Sequence, residues 1–158
     1  MSEPVIRGAT PDDAAAIAAL YAPYVDRTPI TFELAAPDAG EMAERIAAVT
    51  ERFPWLVAID RGGIVGYAYG DLFRTRAAYR WAVETTIYVA SGAERRGIGR
   101  ALYAPLLERL AGQGYVAAIG AITLPNAPSI ALHEAMGFVH SGTYRKIGYK
   151  LGEWHDVG

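Results

Sequence analysis

Glu84, the arginines at 95, 96 and 100 and the glycines at 97 and 99 fall within one stretch, residues 84–102, reading ETTIYVASGAERRGIGRAL. A carboxylate that can take a proton therefore lies close to a cluster that can hold an anion. Residues 85–89 are β-branched or aromatic and predict a strand. From Ile98, apolar residues recur at Leu102, Leu106 and Leu110, which predicts a helix with the glycines at its mouth. The first N–H groups of a helix lack intrahelical partners and carry partial positive charge, so they suit a phosphate. The same residues also describe a tight turn with solvated arginines. A dinucleotide fingerprint is excluded, because Ala101-Leu102 supplies no third glycine, and no Gly-Lys-Ser/Thr of a triphosphate loop follows.

Around this stretch lie further candidates. Glu84, beside Val83 at the start of an apolar strand, is either a desolvated base or a strand-end carboxylate paired with Arg80. Arg74, Arg76, Tyr79 and Arg80 form a basic loop, either a solvated face or a set of forks for carboxylate or phosphinate oxygens. Asn126 precedes a short helix and suits a cap. His133 is a general acid or a histidine on a helix surface. Metal chemistry is not expected, since His133, His140 and His155 lack ligand-like pairing and there is no cysteine. No Gly-x-Ser-x-Gly elbow occurs.

These residues need elements to hold them. Val5, Ile6 and Arg7 open a strand; Thr10-Pro11-Asp12-Asp13 starts a helix that ends near Tyr24. Pro29 biases Thr28 to an extended shape, and the loop carrying Phe32 and Glu33 follows. Pro37-Asp38 starts a second helix with Met42, Ile46 and Val49 on one face. Residues 55–59 and 64–72 pair as a hairpin through Asp60-Arg61-Gly62-Gly63. Residues 115–122 read as a strand buried on both faces, 126–136 as a helix and 138–144 as another strand. The order of elements implies one α/β domain over residues 1–158, with a mixed, mostly antiparallel sheet and helices on both faces.

Composition sets the outer limits. The 158 residues suit a single core, and a net charge of −2 gives no global pull toward nucleic acid or an anionic membrane. Zero cysteines exclude disulfides and thiol catalysis. Met1-Ser2-Glu3-Pro4 does not resemble a signal peptide, and no apolar run approaches the roughly 20 residues that cross a bilayer. A soluble cytoplasmic protein is the simplest reading.

The segment from Arg95 to Leu102 resembles the pyrophosphate loop of the GNAT N-acetyltransferases, which bind acetyl-coenzyme A. Their pattern is Gln/Arg-x-x-Gly-x-Gly/Ala, and Glu94 stands at its first position here. The run Asn126-Ala127-Pro128-Ser129 through His133 to Gly137-Phe138 resembles the family's second signature. The segments 24–33 and 148–157, with Tyr79, Arg80 and Glu84, resemble the phosphinothricin and methionine sulfoximine/sulfone acetyltransferases. That subgroup continues past Trp-His-Asp-Val-Gly into a final strand, so the resemblance implies that this strand is missing or truncated here.

The resemblance implies acetyl transfer to the amine of a small amino-acid-like acceptor by direct attack in a ternary complex. It assigns Glu84 as base, acting directly or through water, and His133 to a place where many members carry a tyrosine that protonates the thiolate. It implies cofactor contacts from the main chain of Ile87, Tyr88 and Val89, from Arg95, Arg96, Gly97, Ile98, Gly99 and Arg100, and from Asn126 and Ser129. Phe32, Glu33, Arg74, Arg76, Tyr79, Arg80 and Thr86 fall to the acceptor, with Lys150, Trp154 and His155 near it or at a dimer contact. It implies a homodimer without metal. Another amine acceptor, such as a protein N-terminus, a polyamine or an antibiotic, stays open, although the basic loop disfavours polycations. So does an acyl-coenzyme A-binding module without turnover.

Overall fold

In the computed structural model, which describes residues 2–158, the side chains of two central strands alternate between two apolar layers. Strands β1 (Val5–Gly8), β2 (Trp55–Asp60), β3 (Gly63–Leu72), β4 (Ala82–Val89) and β5 (Ala117–Ile119) form one sheet in that order. All its neighbours are antiparallel except β4 and β5, which run parallel. Strands β6 (Thr123–Leu124), β7 (Tyr144–Lys150) and β8 (Glu153–Val157) make a second, antiparallel sheet with β8 in the middle. Helices α1 (Ala14–Arg27) and α2 (Ala39–Thr50) cover one face of the large sheet, and α3 (Ile98–Gly112) covers the other. Leu132 of α4 (Ala127–Ala135) packs into the α3 layer. This is the mixed α/β architecture that the order of elements implied. No helix among the described residues is long and apolar enough to cross a membrane.

Local chemistry explains the element starts. The Asp13 carboxylate accepts from the Thr10 N–H at 2.9 Å and pairs with both guanidinium nitrogens of Arg7, at 2.7 and 2.8 Å, which ties β1 to the turn before α1. Asp38 caps α2 by accepting from the Glu41 N–H at 2.8 Å. In α3 the apolar spacing is realised: Ile98, Leu102, Leu106 and Leu110 are all buried. They sit on β3 where that strand has no side chains. A Cβ on Gly66 would lie 2.9 Å from Ile98 and 3.1 Å from Leu102, and one on Gly70 would lie 3.0 Å from Leu110.

Three expectations change. α1 continues past Tyr24 to Arg27, and Thr28 then turns extended ahead of Pro29 (φ −134°, ψ 155°). The apolar run at 115–122 contains only the short edge strand β5, with Val116 83% exposed, because β5 pairs on one side alone. Residues 138–143 are not a strand: the Phe138 N–H bonds the His133 carbonyl and its ring packs on Tyr103 and His133, so this segment closes α4. The extended segment starts at Tyr144 instead. Residues 153–157 form β8, which pairs with both β6 and β7.

The glycine platform under α3 gives a direct test. Gly66→Ala should lower stability by about 1–3 kcal/mol through overpacking, read from the urea midpoint. Gly8→Ala, whose Cβ meets nothing within 4 Å, should change it little.

Candidate active site

Pairing between β4 and β5 stops after three residues: Ala82, Val83 and Glu84 face Ala117, Ala118 and Ile119. Among the described residues no strand lies on that edge of β4 beyond Glu84. Thr85, Ile87 and Val89 turn their main-chain groups to that edge, as alternate residues of an exposed sheet edge do, and the Val89 carbonyl accepts from the Tyr24 hydroxyl. The open edge runs toward the N-terminus of α3. Gly97, at φ 76°, caps that helix, and Arg95, at φ 62°, shares the left-handed conformation. A Cβ on Gly97 would meet nothing within 4 Å, so this turn is open for a ligand to approach the helix end. Gly99 does different work: a Cβ there would come 2.8 Å from Leu132, so it permits the close approach of α3 and α4.

The arginines divide as well. Arg96 forms an ion pair with Asp60 of β2, which holds the Asp60 carboxyl below its usual range. Arg95 and Arg100 are the other cations of this turn. Glu94 accepts from the Gly92 N–H at 2.7 Å, so the carboxylate braces the loop from within. Asn126 caps α4, its Oδ1 accepting from the Ser129 N–H at 3.3 Å.

Glu84 is half-buried and its carboxyl is pushed above the ordinary range, first by burial and then by the charge of Asp71. Asp71 is its partner across the β3–β4 register. The expected alternative, pairing with Arg80, does not occur: that guanidinium donates to the Ala77 carbonyl at 3.2 Å and stacks 4.8 Å from the Trp81 ring. Asp71 was legible only through register, which places Tyr67, Tyr69 and Asp71 opposite Tyr88, Thr86 and Glu84 on one face.

On that face the sheet encloses a cavity of about 250 Å³, walled by tyrosines 21, 67, 69 and 88 and by Thr86, with Thr31, Glu33, Met42, Arg45 and Trp55 closing it. A second opening of about 550 Å³ shares Arg45, Trp55 and Tyr69 and reaches Asp71. Of the expected acceptor residues, Glu33 and Thr86 line this space. Phe32 lies outside it, its ring over Gly148, where a Cβ would fall 2.2 Å from the phenyl. The Lys150 Nζ donates to the Thr31 carbonyl at 2.8 Å, so β7 holds the Phe32–Glu33 loop from below. Burial lowers the Lys150 pKa. The basic loop stands apart from the cavity: Arg74 stacks on Phe73 and Tyr79 and reaches the Tyr144 hydroxyl at 3.3 Å, and Arg76 and Arg80 are exposed.

His133 is buried rather than on a helix surface. Its Nδ1–H donates to the Ser129 carbonyl at 2.7 Å, which leaves Nε2 to accept from the Tyr103 hydroxyl at 3.0 Å. Tyr103 also lies 3.2 Å from Thr85 on β4. A Cβ on Gly120 would come 2.9 Å from the imidazole, so the ring stands where β4 and β5 part. Tyr103 and Thr85 were not read from the sequence as site residues, and the apolar spacing Ile98, Leu102, Leu106, Leu110 passes over Tyr103.

Burial lowers the His133 pKa, with the Ser129 carbonyl acting weakly against it. The native protein thus keeps a neutral ring, whereas the unfolded chain takes up a proton near the ordinary value of about 6.5. Stability should therefore fall as pH drops below about 6.5. His133→Gln should flatten that slope in urea unfolding measured at successive pH values; equal slopes in both proteins would refute a neutral buried imidazole.

A family model for the acetyltransferase (GNAT) domain matches residues 6–157. The phosphinothricin N-acetyltransferase of Streptomyces viridochromogenes is 40% identical over 153 residues, covering 97% of this chain and 84% of that protein. The L-methionine sulfoximine/L-methionine sulfone acetyltransferase of Pseudomonas paraeruginosa is 36% identical, covering 96% of this chain and 90% of that protein. Among solved structures, a GNAT superfamily phosphinothricin acetyltransferase from Sinorhizobium meliloti in complex with AcCoA superposes with a TM-score of 0.94 at 37% identity, covering 99% of this chain and 85% of that one.

Proposed function

This chain belongs to the GNAT acetyltransferase family, and from that premise we propose that it acetylates the α-amine of a small amino acid of the methionine sulfoximine, methionine sulfone or phosphinothricin type. It is an acetyl-coenzyme A-dependent N-acetyltransferase. One observation carries the acceptor reading. Glu84 stands where β4 loses its neighbour, on the same face as the tyrosine-walled cavity and at the head of the open edge.

Acetyl-coenzyme A supplies an acetyl group activated as a thioester, and the residues present fit it. The open edge of β4 over Ile87, Tyr88 and Val89 suits the pantetheine amides, with the Ile87 main chain facing outward and the Val89 carbonyl accepting from the Tyr24 hydroxyl, and the turn at Gly97 with Ile98, Arg95 and Arg100 suits the diphosphate. Arg96 supports that turn through Asp60. Asn126 and Ser129 shape the neighbouring end of α4.

Glu84 takes the proton that must leave the acceptor's ammonium. Its raised pKa matches it to that task, since a carboxylate of ordinary acidity is a weaker base. A main-chain N–H of the open edge polarises the acetyl carbonyl. The nitrogen–carbon bond forms as the carbon–sulfur bond breaks, and the sulfur takes a proton, so the charges balance. With no cysteine in the chain, no thiol acyl-enzyme intervenes. His133 acts from beneath this point, through Tyr103 and Thr85. Arg74, Arg76, Tyr79 and Arg80 sit at the end of β3 that carries Asp71 and are suited to the acceptor's carboxylate. The exposed Ile147, Tyr149, Leu151 and Trp154 of the β7–β8 hairpin support a homodimer. We place the enzyme in the cytoplasm, where its co-substrate is made and used.

Glu84→Gln should lower kcat about 10²-fold or more with little change in KM for acetyl-coenzyme A, followed by free-thiol release. In the wild type, activity should fade as pH drops through the raised Glu84 pKa. Asp71→Asn removes a charge that raises it, so the acid limb of kcat/KM should move to lower pH. An unmoved limb would take Glu84 out of the role of base.

A further inference from the structure

The turn between β4 and α3 carries charges that the fold partly cancels. Its cations are Arg95, Arg96 and Arg100, and its anion is Glu94. Arg96 is taken by Asp60, whose side chain is only 6% exposed, and Arg61 of the same hairpin also acts on Asp60. Among the described residues Arg95, Arg100 and Glu94 form no ion pair. Two positive charges and one negative therefore act at a turn whose sequence offers three arginines.

The Glu94 carboxylate is located by its neighbours. Its Oε2 accepts from the Gly92 N–H at 2.7 Å. Its charge also reaches Tyr24, where burial first and then Glu94 raise the pKa of the phenol. The Tyr24 hydroxyl donates to the Val89 carbonyl, on the outward edge of β4. The carboxylate thus stands where the open edge ends and the turn begins. Gly92, Arg95 and Gly97 have φ of 86°, 62° and 76°. Left-handed residues within a turn help gather main-chain N–H groups into a concave anion site. One donor of this turn, the Gly92 N–H, is already filled by an anion from the chain itself.

That carboxylate pulls in two directions. Its hydrogen bond fixes a turn in which Arg95 holds a conformation usually left to glycine. Its charge repels any diphosphate brought to the helix mouth. Glu94 is exposed, so salt and water weaken the repulsion without abolishing it. An amide at the same position keeps the first effect and loses the second.

We propose, resting on the acetyl-transfer reading above, that Glu94 sets the strength of cofactor binding: its hydrogen bond holds the diphosphate turn in shape, and its charge keeps the affinity below what that turn can give. Acetyl-coenzyme A and free coenzyme A share the diphosphate. Glu94 therefore weakens the hold on co-substrate and product together, which favours release of coenzyme A after transfer.

Calorimetric titration of coenzyme A into the wild type, Glu94→Gln and Glu94→Ala at low and high salt tests this, beside free-thiol release from acetyl-coenzyme A. Glu94→Gln should bind coenzyme A about three- to tenfold more tightly than the wild type at low salt. The gain should shrink toward none at about 1 M salt, where the Debye length falls to about 3 Å. KM for acetyl-coenzyme A and the inhibition constant of coenzyme A should fall by like factors. Glu94→Ala, which has no oxygen for the Gly92 N–H, should bind less tightly than Glu94→Gln. Unchanged or weaker binding by Glu94→Gln, or a gain that salt does not diminish, would overturn the charge effect, and equal affinities of the two variants would overturn the brace. Coenzyme A bound by none of the three proteins would overturn the acetyl-transfer reading and the role of Glu94 with it. Tighter binding by Glu94→Gln with no thiol released to any amine would overturn that reading alone.

Discussion

The structure depends on a broken strand pairing. β4 is joined to β5 by three residue pairs and then continues alone along that edge. A sheet interior would satisfy those backbone groups with a neighbouring strand; among the described residues none lies there. The break is stable because the opposite edge of β4 pairs with β3 along its whole length and both faces of the strand pack into apolar layers. α3 then brings its N-terminus to the end of the open edge, guided by the glycines of β3 on which it lies.

Alternation along β4 divides the work between faces. Val83, Ile87 and Val89 point into the α3 layer, and Thr85 touches Tyr103 on that side. Glu84, Thr86 and Tyr88 belong to the opposite face, where α1 and α2 leave a polar cavity rather than a closed core. The rise of a carboxyl pKa at Glu84 follows from this placement. The strand is buried enough to disfavour charge, and Asp71 adds a like charge from the neighbouring strand.

The cavity wall is assembled from distant parts of the chain. Glu33 lies on the loop after α1, yet that loop is held by Lys150 and Gly148 from β7 and by Arg45 from α2. The C-terminal hairpin thus positions the Glu33 loop without contributing a group to the cavity wall.

Much of this was legible in the residues. The strand at 85–89, the helix from Ile98, the caps at Asp38 and Asn126 and the candidacy of Glu84 follow from local spacing and propensity, which depend on near neighbours alone. The glycines at 97 and 99 looked alike, and only packing separated an open helix mouth from a contact with Leu132. Tertiary structure likewise turned Arg96 toward Asp60, buried His133 against Tyr103 and left β5 an exposed edge where its composition suggested a core strand. The cavity was beyond reach for the same reason. Its walls come from α1, α2, β2, β3 and β4, and which side chains converge is set by strand register and long-range packing, to which no single stretch of sequence refers.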